Sequence, residues 1–258
     1  MCTLTFAWRV FDDAGLVVAA NRDEALDRPS VDPVRIPGDS GTPDVVAPRD
    51  EEAGGTWIGA NEHGVFVGIT NRWTDVDLAA ERSRGLLVRD ALAASSAADA
   101  VAVVEDAVAA HEYDGFNLVV ADAATCSYVA FDGDLVVHSL DPGVHVVVNV
   151  GRVDDFDVPA SRREYGQTQA ENARGVEDAL AVRPGETAAE WRTRAADVLR
   201  DHDYGVCIHG DGFGTRSSSL LQFGDEFAYW YADGPPCETE YERVDASFDE
   251  PVRAHQRE

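Results

Sequence analysis

Cysteine at position 2, and polar residues closing several apolar runs, are the groups in this 258-residue chain with chemistry to offer. Removal of Met1, usual when a small residue follows it, would leave Cys2 with a thiol and a free α-amine on one residue. An α-amino group titrates near ~8 and a thiol near ~8.5, so proton transfer between them is nearly isoenergetic and the nucleophile carries its own base. A lone cysteine is more often a small buried hydrophobe, so the reading rests on what accompanies it. An N-terminal nucleophile needs a carboxylate to hold its amine, donors aimed at a developing oxyanion, and a cation to offset charge. Asp23 stands in Asn21-Arg22-Asp23-Glu24 after one apolar run, Asn71 closes another, Asn149 closes a run of valines, and Arg216 follows Gly212-Phe213-Gly214-Thr215. Each asparagine alone is an ordinary turn residue. Together, Asp23, Asn71, Asn149 and either Arg22 or Arg216 have the residue types this chemistry requires.

The elements that must position them are legible as alternating runs. Thr3 to Val10 and Leu16 to Asn21 flank Asp12-Asp13-Ala14-Gly15 and predict a hairpin, so Cys2 opens a strand. Residues 25–52 are rich in proline, glycine and aspartate without periodicity and predict a long loop. A second hairpin is predicted from residues 55–60 and 65–71 around Asn61-Glu62-His63-Gly64. Helices are predicted at 84–94 and at 98–110, the second led by Ser96 with Asp99 three residues later. Two more are predicted at 159–173 and at 188–201, where Thr187 and Glu190 form a capping box. Strands are predicted at 115–122, 127–132, 135–139 and 144–149, and at 205–209, 217–223 and 226–232. Strands arriving in hairpins, then two helices, then the same again, suit an α+β fold: a four-layer αββα sandwich of two stacked antiparallel sheets covered by helices. The whole chain, residues 1–258, is expected to be one domain.

At this point the motifs form a recognisable set. Asn21-Arg22-Asp23-Glu24 behind Met1-Cys2 resembles the signature of the NRDE family, which includes the eukaryotic transport and Golgi organisation 2 protein. The resemblance continues through Thr56-Trp57-Ile58-Gly59, Asn61-Glu62-His63-Gly64, Thr70-Asn71-Arg72, Ser83-Arg84-Gly85, Asn117-Leu118 and Gly214-Thr215-Arg216-Ser217-Ser218, nearly the full length. That family in turn is similar to the cysteine N-terminal-nucleophile hydrolases, the group of penicillin V acylase and bile salt hydrolase, with an αββα sandwich. The resemblance implies Cys2 as nucleophile, Asp23 as the residue orienting it, and Asn71 and Asn149 as the oxyanion pair. Those hydrolases carry an arginine three residues before the aspartate, where this chain has Ala20, with Arg22 on the same strand face one step deeper. Arg216 stands in for their late-strand arginine. The implied activity is hydrolysis of a non-peptide amide or acyl bond in a small molecule, with no cofactor. The alternative the family implies is a non-catalytic carrier of haem or of an acyl-lipid or acyl-CoA, with Cys2 or His63 as ligand to a haem.

Composition narrows the setting. With 21 basic residues, all arginine, against 48 acidic ones, the formal charge is −27. Such a surface repels itself unless molar salt shrinks the Debye length to ~3 Å, which points to a salt-in halophile. No basic stripe exists to neutralise phosphates, so nucleic acid is not an expected partner. No apolar run is long enough for a membrane span, and no signal-peptide pattern opens the chain, so the cytoplasm is the expected compartment. Cys2, Cys126, Cys207 and Cys237 show no CxxC spacing, and no disulfide is expected. His202, Asp203, Cys207 and His209 have metal-ligand types but match no standard zinc spacing, and a structural role with no metal is expected for them.

Overall fold

The computed structural model describes residues 2–39 and 41–248. Met1, whose removal the expected chemistry requires, lies outside them. The chain opens with β1 (Thr3–Trp8) and β2 (Ala14–Ala25), the predicted first hairpin. Then come β3 (Ser30–Ile36), β4 (Val45–Asp50), β5 (Ile58–Asn61) and β6 (Phe66–Asn71), and the helices α1 (Arg84–Ala91) and α2 (Ala97–Ala110). Next are β7 (Phe116–Ala121), β8 (Cys126–Phe131), β9 (Leu135–Ser139), β10 (Gly143–Val148) and the two-residue strands β11 (Gly151–Arg152) and β12 (Asp155–Phe156). Helices α3 (Arg163–Leu180) and α4 (Ala188–Arg200) precede β13 (Phe213–Gly224), β14 (Phe227–Ala232) and β15 (Glu242–Arg243).

These strands form two antiparallel sheets, ordered β12-β11-β10-β1-β2-β13-β14-β15 and β3-β4-β5-β6-β7-β8-β9. Period-two alternation gives each sheet two apolar faces. Leu4, Phe6, Trp8, Leu16 and Val18 of the first sheet meet Ile58, Ala60, Phe66, Val119 and Tyr128 of the second, and this is the central core. The opposite face of the first sheet, with Ala7, Val17, Ala19 and Val146, packs on Ala173, Val176, Leu180, Trp191 and Ala195 of α3 and α4. The second sheet presents Val67, Leu118, Val120 and Val129 to Leu87, Val88, Ala100 and Val104 of α1 and α2. The expected αββα sandwich is the architecture found. The Ser96 and Thr187 caps form as expected, the latter as a reciprocal box with Glu190. Among the described residues no helix is long and apolar enough to cross a membrane.

Three segments differ from expectation. Residues 25–52 are not one loop: β3 and β4 form a hairpin at the edge of the second sheet. Pro33 falls at the break in register between Val31 and Val34, on the outermost strand, where a missing N–H costs no ladder bond. Helix α3 continues seven residues past Ala173, because Val176 and Leu180 extend its buried stripe at helical spacing. Residues 205–209 are not a strand; a 3₁₀ turn at His202–Tyr204 ends at Gly205 with φ 64°, and only a single bridge joins His209 to Gly214.

Two buried asparagines fasten these layers. Asn61, at the end of β5, donates to the carbonyls of Leu92 (2.9 Å) and Ala94 (2.7 Å) beyond α1, while its Oδ1 accepts from His63 and Val65 N–H. Asn21 does the equivalent in the first sheet, donating to Leu199 O (3.0 Å) and Val206 O (2.8 Å) and accepting from Ser218. Asn61→Ala strands two acceptors and two donors in the interior and should destabilise the fold by about 3 kcal/mol. Urea denaturation should show this as a lower midpoint with an unchanged slope.

Candidate active site

Register places the candidate nucleophile. Thr3 pairs with Asn21 on β2 and with Val148 on β10, so the preceding residue, Cys2, lies between Arg22 on one side and Asn149 on the other. Its side chain falls on the same face as Leu4 and Phe6, toward the second sheet, where the core gives way to a cavity. Cys2 is half-buried, and its Sγ contacts the Asp23 carbonyl at 3.6 Å. Burial pushes its thiol pKa above the ordinary value, while the Arg22 cation pulls the other way.

The alternation of β2 divides the Asn21-Arg22-Asp23-Glu24 signature. Arg22 falls on the inner face with Ala20 and Val18 and is 7% exposed. Its guanidinium lies over Trp57, 4.1 Å from the ring centroid, and reaches Asp50 (3.4 Å) and Glu24 (3.7 Å). Its Nη1 is buried and has no hydrogen-bond partner among the described residues. Asp23, on the other face, accepts from Thr215 Oγ1 at 2.6 Å. Burial raises the Asp23 carboxyl to about 6, although the Thr215 hydroxyl favours the charged form. Thr215 is itself fixed at both ends: its Oγ1 accepts from Ile208 N–H (2.9 Å) and its N–H donates to Ile208 O (2.8 Å). Its hydroxyl hydrogen is thereby left for Asp23.

Asn71 and Asn149 close the site from the two sheets. Asn149 Nδ2 donates to Asn71 O at 2.7 Å, and its Oδ1 accepts from Gln169 on α3 at 2.9 Å. Gln169 thus assigns the amide orientation and leaves Asn149 Nδ2 with one hydrogen unspent. On β6, Ile69 N–H donates toward Trp57 and Arg72 N–H toward Gly115, so alternation directs the Asn71 N–H to the β5 side, past the last β5 pairing at Ile58. Beneath the pair, the fully buried Asn117 donates to Thr70 Oγ1 and Val148 O and accepts from Arg72 and Tyr128.

Two cavities meet at Cys2. A narrow one of about 140 Å³ is lined by Arg22, Glu24, Arg28, Asp50, Trp57 and Arg84, among others; a wider one of about 570 Å³ by Asn71, Trp73, Asn149, Tyr165, Ile208 and Phe213. Cys2, Asp23, Asn71 and Arg84 border both. Arg216 is not among these residues. It is the extra residue of a bulge between the Thr215–Asp23 and Ser217–Arg22 pairings, and its guanidinium pairs with Asp233 at 2.5 Å. The arginine beside Cys2 is therefore Arg22.

Sequence reasoning missed Arg84. A cation as the first residue of a helix opposes the macrodipole, and that local contradiction was the available signal. It is brought there because Gly55 and Gly85 touch backbone to backbone; a Cβ on Gly55 would lie 2.2 Å from the Gly85 carbonyl carbon. Burial lowers the pKa of Arg84, and Asp114 and the Cys2 thiolate pull it back up. Arg28, paired with Asp50 at 2.7 Å, was likewise hidden in the segment expected to be loop. The haem reading turns on the donors that line this site. The narrow cavity is charged, and no histidine lines either cavity among the described residues. Cys2 is left as the one soft donor, with His63 at a separate cleft beside Asp12, Asp13 and Phe223.

Comparison with known proteins agrees with this architecture. The family profile described as Transport and Golgi organisation 2 matches residues 1–226, and the chain belongs to that family. It is 32% identical over 111 residues to the Transport and Golgi organization 2 homolog of Mus musculus, a stretch covering 43% of this chain and 40% of the mouse protein. Penicillin V acylase from Agrobacterium tumefaciens superposes with a TM-score of 0.56 at 16% identity, covering 90% of this chain and 83% of that one. The Caenorhabditis elegans N-acylethanolamine-hydrolyzing acid amidase ortholog gives 0.56 at 14% identity, covering 85% and 92%. A variant of conjugated bile acid hydrolase from Clostridium perfringens gives 0.52 at 12%, covering 90% and 89%. At these identities the likeness speaks for the fold, which is that of the N-terminal-nucleophile hydrolases.

Two outcomes follow from the titrating groups. Asp23 has a folded-state value of about 6 against an ordinary 3.8, so folding disfavours its charged form. Its stabilising contribution is complete below about pH 4 and is lost as pH rises to about 6, on the order of 3 kcal/mol. Urea midpoints of wild type should fall across that window relative to those of Asp23→Asn. Cys2 should be alkylated faster than Cys126, which is 2% exposed with its thiol pushed up to about 12. The Cys2 rate should climb with pH beyond the ordinary thiol range, as peptide mapping after iodoacetamide treatment will show.

Proposed function

We propose that this member of the transport and Golgi organisation 2 family is an N-terminal-cysteine hydrolase of a small-molecule, non-peptide amide. The observation that carries this reading is the placement of Cys2 where two cavities meet, with the unspent Asn149 Nδ2 hydrogen and the Asn71 N–H bordering the same space. The named activities of the structural neighbours, penicillin V acylase and N-acylethanolamine-hydrolyzing amidase, support the same reaction class.

With Met1 removed, the Cys2 thiol proton passes to its own α-amine and Sγ bonds to the carbonyl carbon. Burial disfavours the Cys2 thiolate and so makes this transfer uphill, a cost that the Arg22 cation offsets in part. Asp23 holds the resulting ammonium, its carboxylate oriented by Thr215. Negative charge moving onto the carbonyl oxygen is met by Asn71 N–H and Asn149 Nδ2. Collapse breaks the C–N bond, and the ammonium returns a proton to the departing amine. Water then cleaves the thioester to the carboxylic acid and restores the thiol. Trp73, Tyr165, Ile208 and Phe213 on one part of the wider cavity suit it to an apolar acyl portion, Arg72, Arg84, Arg162 and Asp114 giving the rest a charged lining, while the Arg22 Nη1 suits the narrow cavity to a small polar amine portion bearing an acceptor oxygen. The apolar part of the wider cavity, Trp73, Tyr165, Ile208 and Phe213, also favours a second reading, a non-catalytic acyl-chain carrier, in which acyl ligands bind but are returned unchanged.

Intact-mass measurement of the purified protein should show Met1 absent. A panel of N-acyl amides should then give turnover that is abolished in Cys2→Ala and reduced on the order of 10²-fold in Asn149→Ala. Retention of Met1 in the native host, or binding without turnover, would transfer the assignment to the carrier reading.

A further inference from the structure

Outside the Cys2 cavities, one cluster of side chains has no role in the chemistry above. His202 of the 3₁₀ turn after α4, Cys207 and His209 of the segment leading to β13, and Cys237 of the loop after β14 converge. One donor atom from each lies within 4.8 Å of every other. Cys207 Sγ and Cys237 Sγ are 3.4 Å apart; His209 Nε2 is 3.1 Å from Cys237 Sγ and 3.9 Å from Cys207 Sγ; the two imidazoles meet edge to face, with centroids 5.2 Å apart. Thiols are weak hydrogen-bond donors and acceptors, so gathering two thiols and two imidazoles around one point satisfies little by itself.

We propose that His202, Cys207, His209 and Cys237 form a structural zinc site. Zinc bonds of about 2.3 Å to sulfur and about 2.0–2.1 Å to nitrogen, set tetrahedrally, separate two sulfurs by about 3.8 Å and a sulfur from a nitrogen by about 3.6 Å. The sulfur–sulfur separation is 0.4 Å short of that value, the two sulfur–nitrogen separations of His209 fall either side of theirs, and every pair lies within 4.8 Å, so side-chain adjustments of about an ångström complete the cage. A two-sulfur, two-nitrogen tetrahedral set selects zinc among common divalent ions. Binding one Zn²⁺ releases the two thiol protons, giving a neutral centre of two thiolates and two neutral imidazoles. All four positions are filled by protein, so the ion is a staple rather than a catalyst.

The site clamps residues on both sides of Ile208, because Cys207 and His209 are its neighbours. Ile208 lines the wider cavity, and its backbone fixes Thr215, which orients Asp23. Asn21 grips Val206, the next residue back. The ion would thus hold the backbone under the candidate active site from the outside of the molecule. Sequence spacing conceals the set, since Cys207-Ile208-His209 is too short for a standard pair and the fourth donor comes 28 residues later, across the β13–β14 hairpin.

The test is the full chain, without a metal-affinity tag, expressed with zinc present. Native mass spectrometry and elemental analysis should find one zinc per chain in wild type and in Cys126→Ser. Cys207→Ser and Cys237→Ser should bind substoichiometric zinc. Cobalt added to chelator-stripped wild type should give thiolate-to-cobalt charge-transfer and tetrahedral d–d absorption, a readout independent of whether the variants fold. Chelation should also lower the melting temperature of wild type. Absence of both zinc and the cobalt spectrum would overturn the proposal. So would a metal-free denatured mass two hydrogens light, with Cys207 linked to Cys237 as a disulfide.

Discussion

The site depends on how β1 is paired. It is hydrogen-bonded on both sides, to β2 and β10, and one register sets both partners of Cys2 at once. Because side chains alternate with period two, a slip of one residue on either side would turn Cys2 away from the second sheet, or replace Arg22 or Asn149 beside it. The apolar alternation of Leu4, Phe6 and Trp8 against Ala7 prevents that slip, since it would place large side chains against closely packed helices and small ones in the central core. The candidate site is aligned by residues that lie outside it.

A second constraint is the use of buried amides along and at the ends of strands. Asn21, Asn61, Asn117 and Asn149 are all buried, each bonded through both ends of its amide. In a low-dielectric interior such bonds are costly to break and therefore define geometry sharply. Asn117 and Asn149 also cross between the sheets, and Asn21 and Asn61 join each sheet to its helical layer. Where the apolar core ends and gives way to cavities, hydrogen bonds take over the task of holding the layers together.

Much of this was legible because the signals were local. Hairpins announced themselves by alternation and turn residues and helices by caps; the candidate residues stood out by type, Cys2 by its place behind Met1 and Asp23, Asn71 and Asn149 as polar groups after apolar runs. What escaped depended on three-dimensional context. Residues 25–52 have the composition of a loop, yet an edge strand tolerates Pro33. Arg216 sits beside Thr215 in sequence, but a bulge, which leaves no mark in composition, sends it to Asp233. Arg84 was read as the start of a helix, and its convergence on Cys2 comes from two touching glycines thirty residues apart. Cys237 joined its three companions only once the β13–β14 hairpin was folded.

The double pairing of β1 also orders events in time. The β1–β2 hairpin is available as soon as it is synthesised, but β10 ends at Val148 and β13 begins at Phe213, so the sheet around Cys2 cannot close until most of the chain exists. At about 5–20 residues per second, synthesis takes roughly 7–30 s to reach β10. Throughout that interval the amino terminus is on a nascent hairpin, open to processing enzymes. On the proposed reading of Cys2, the time available for removing Met1 is set by synthesis of the chain as far as Val148.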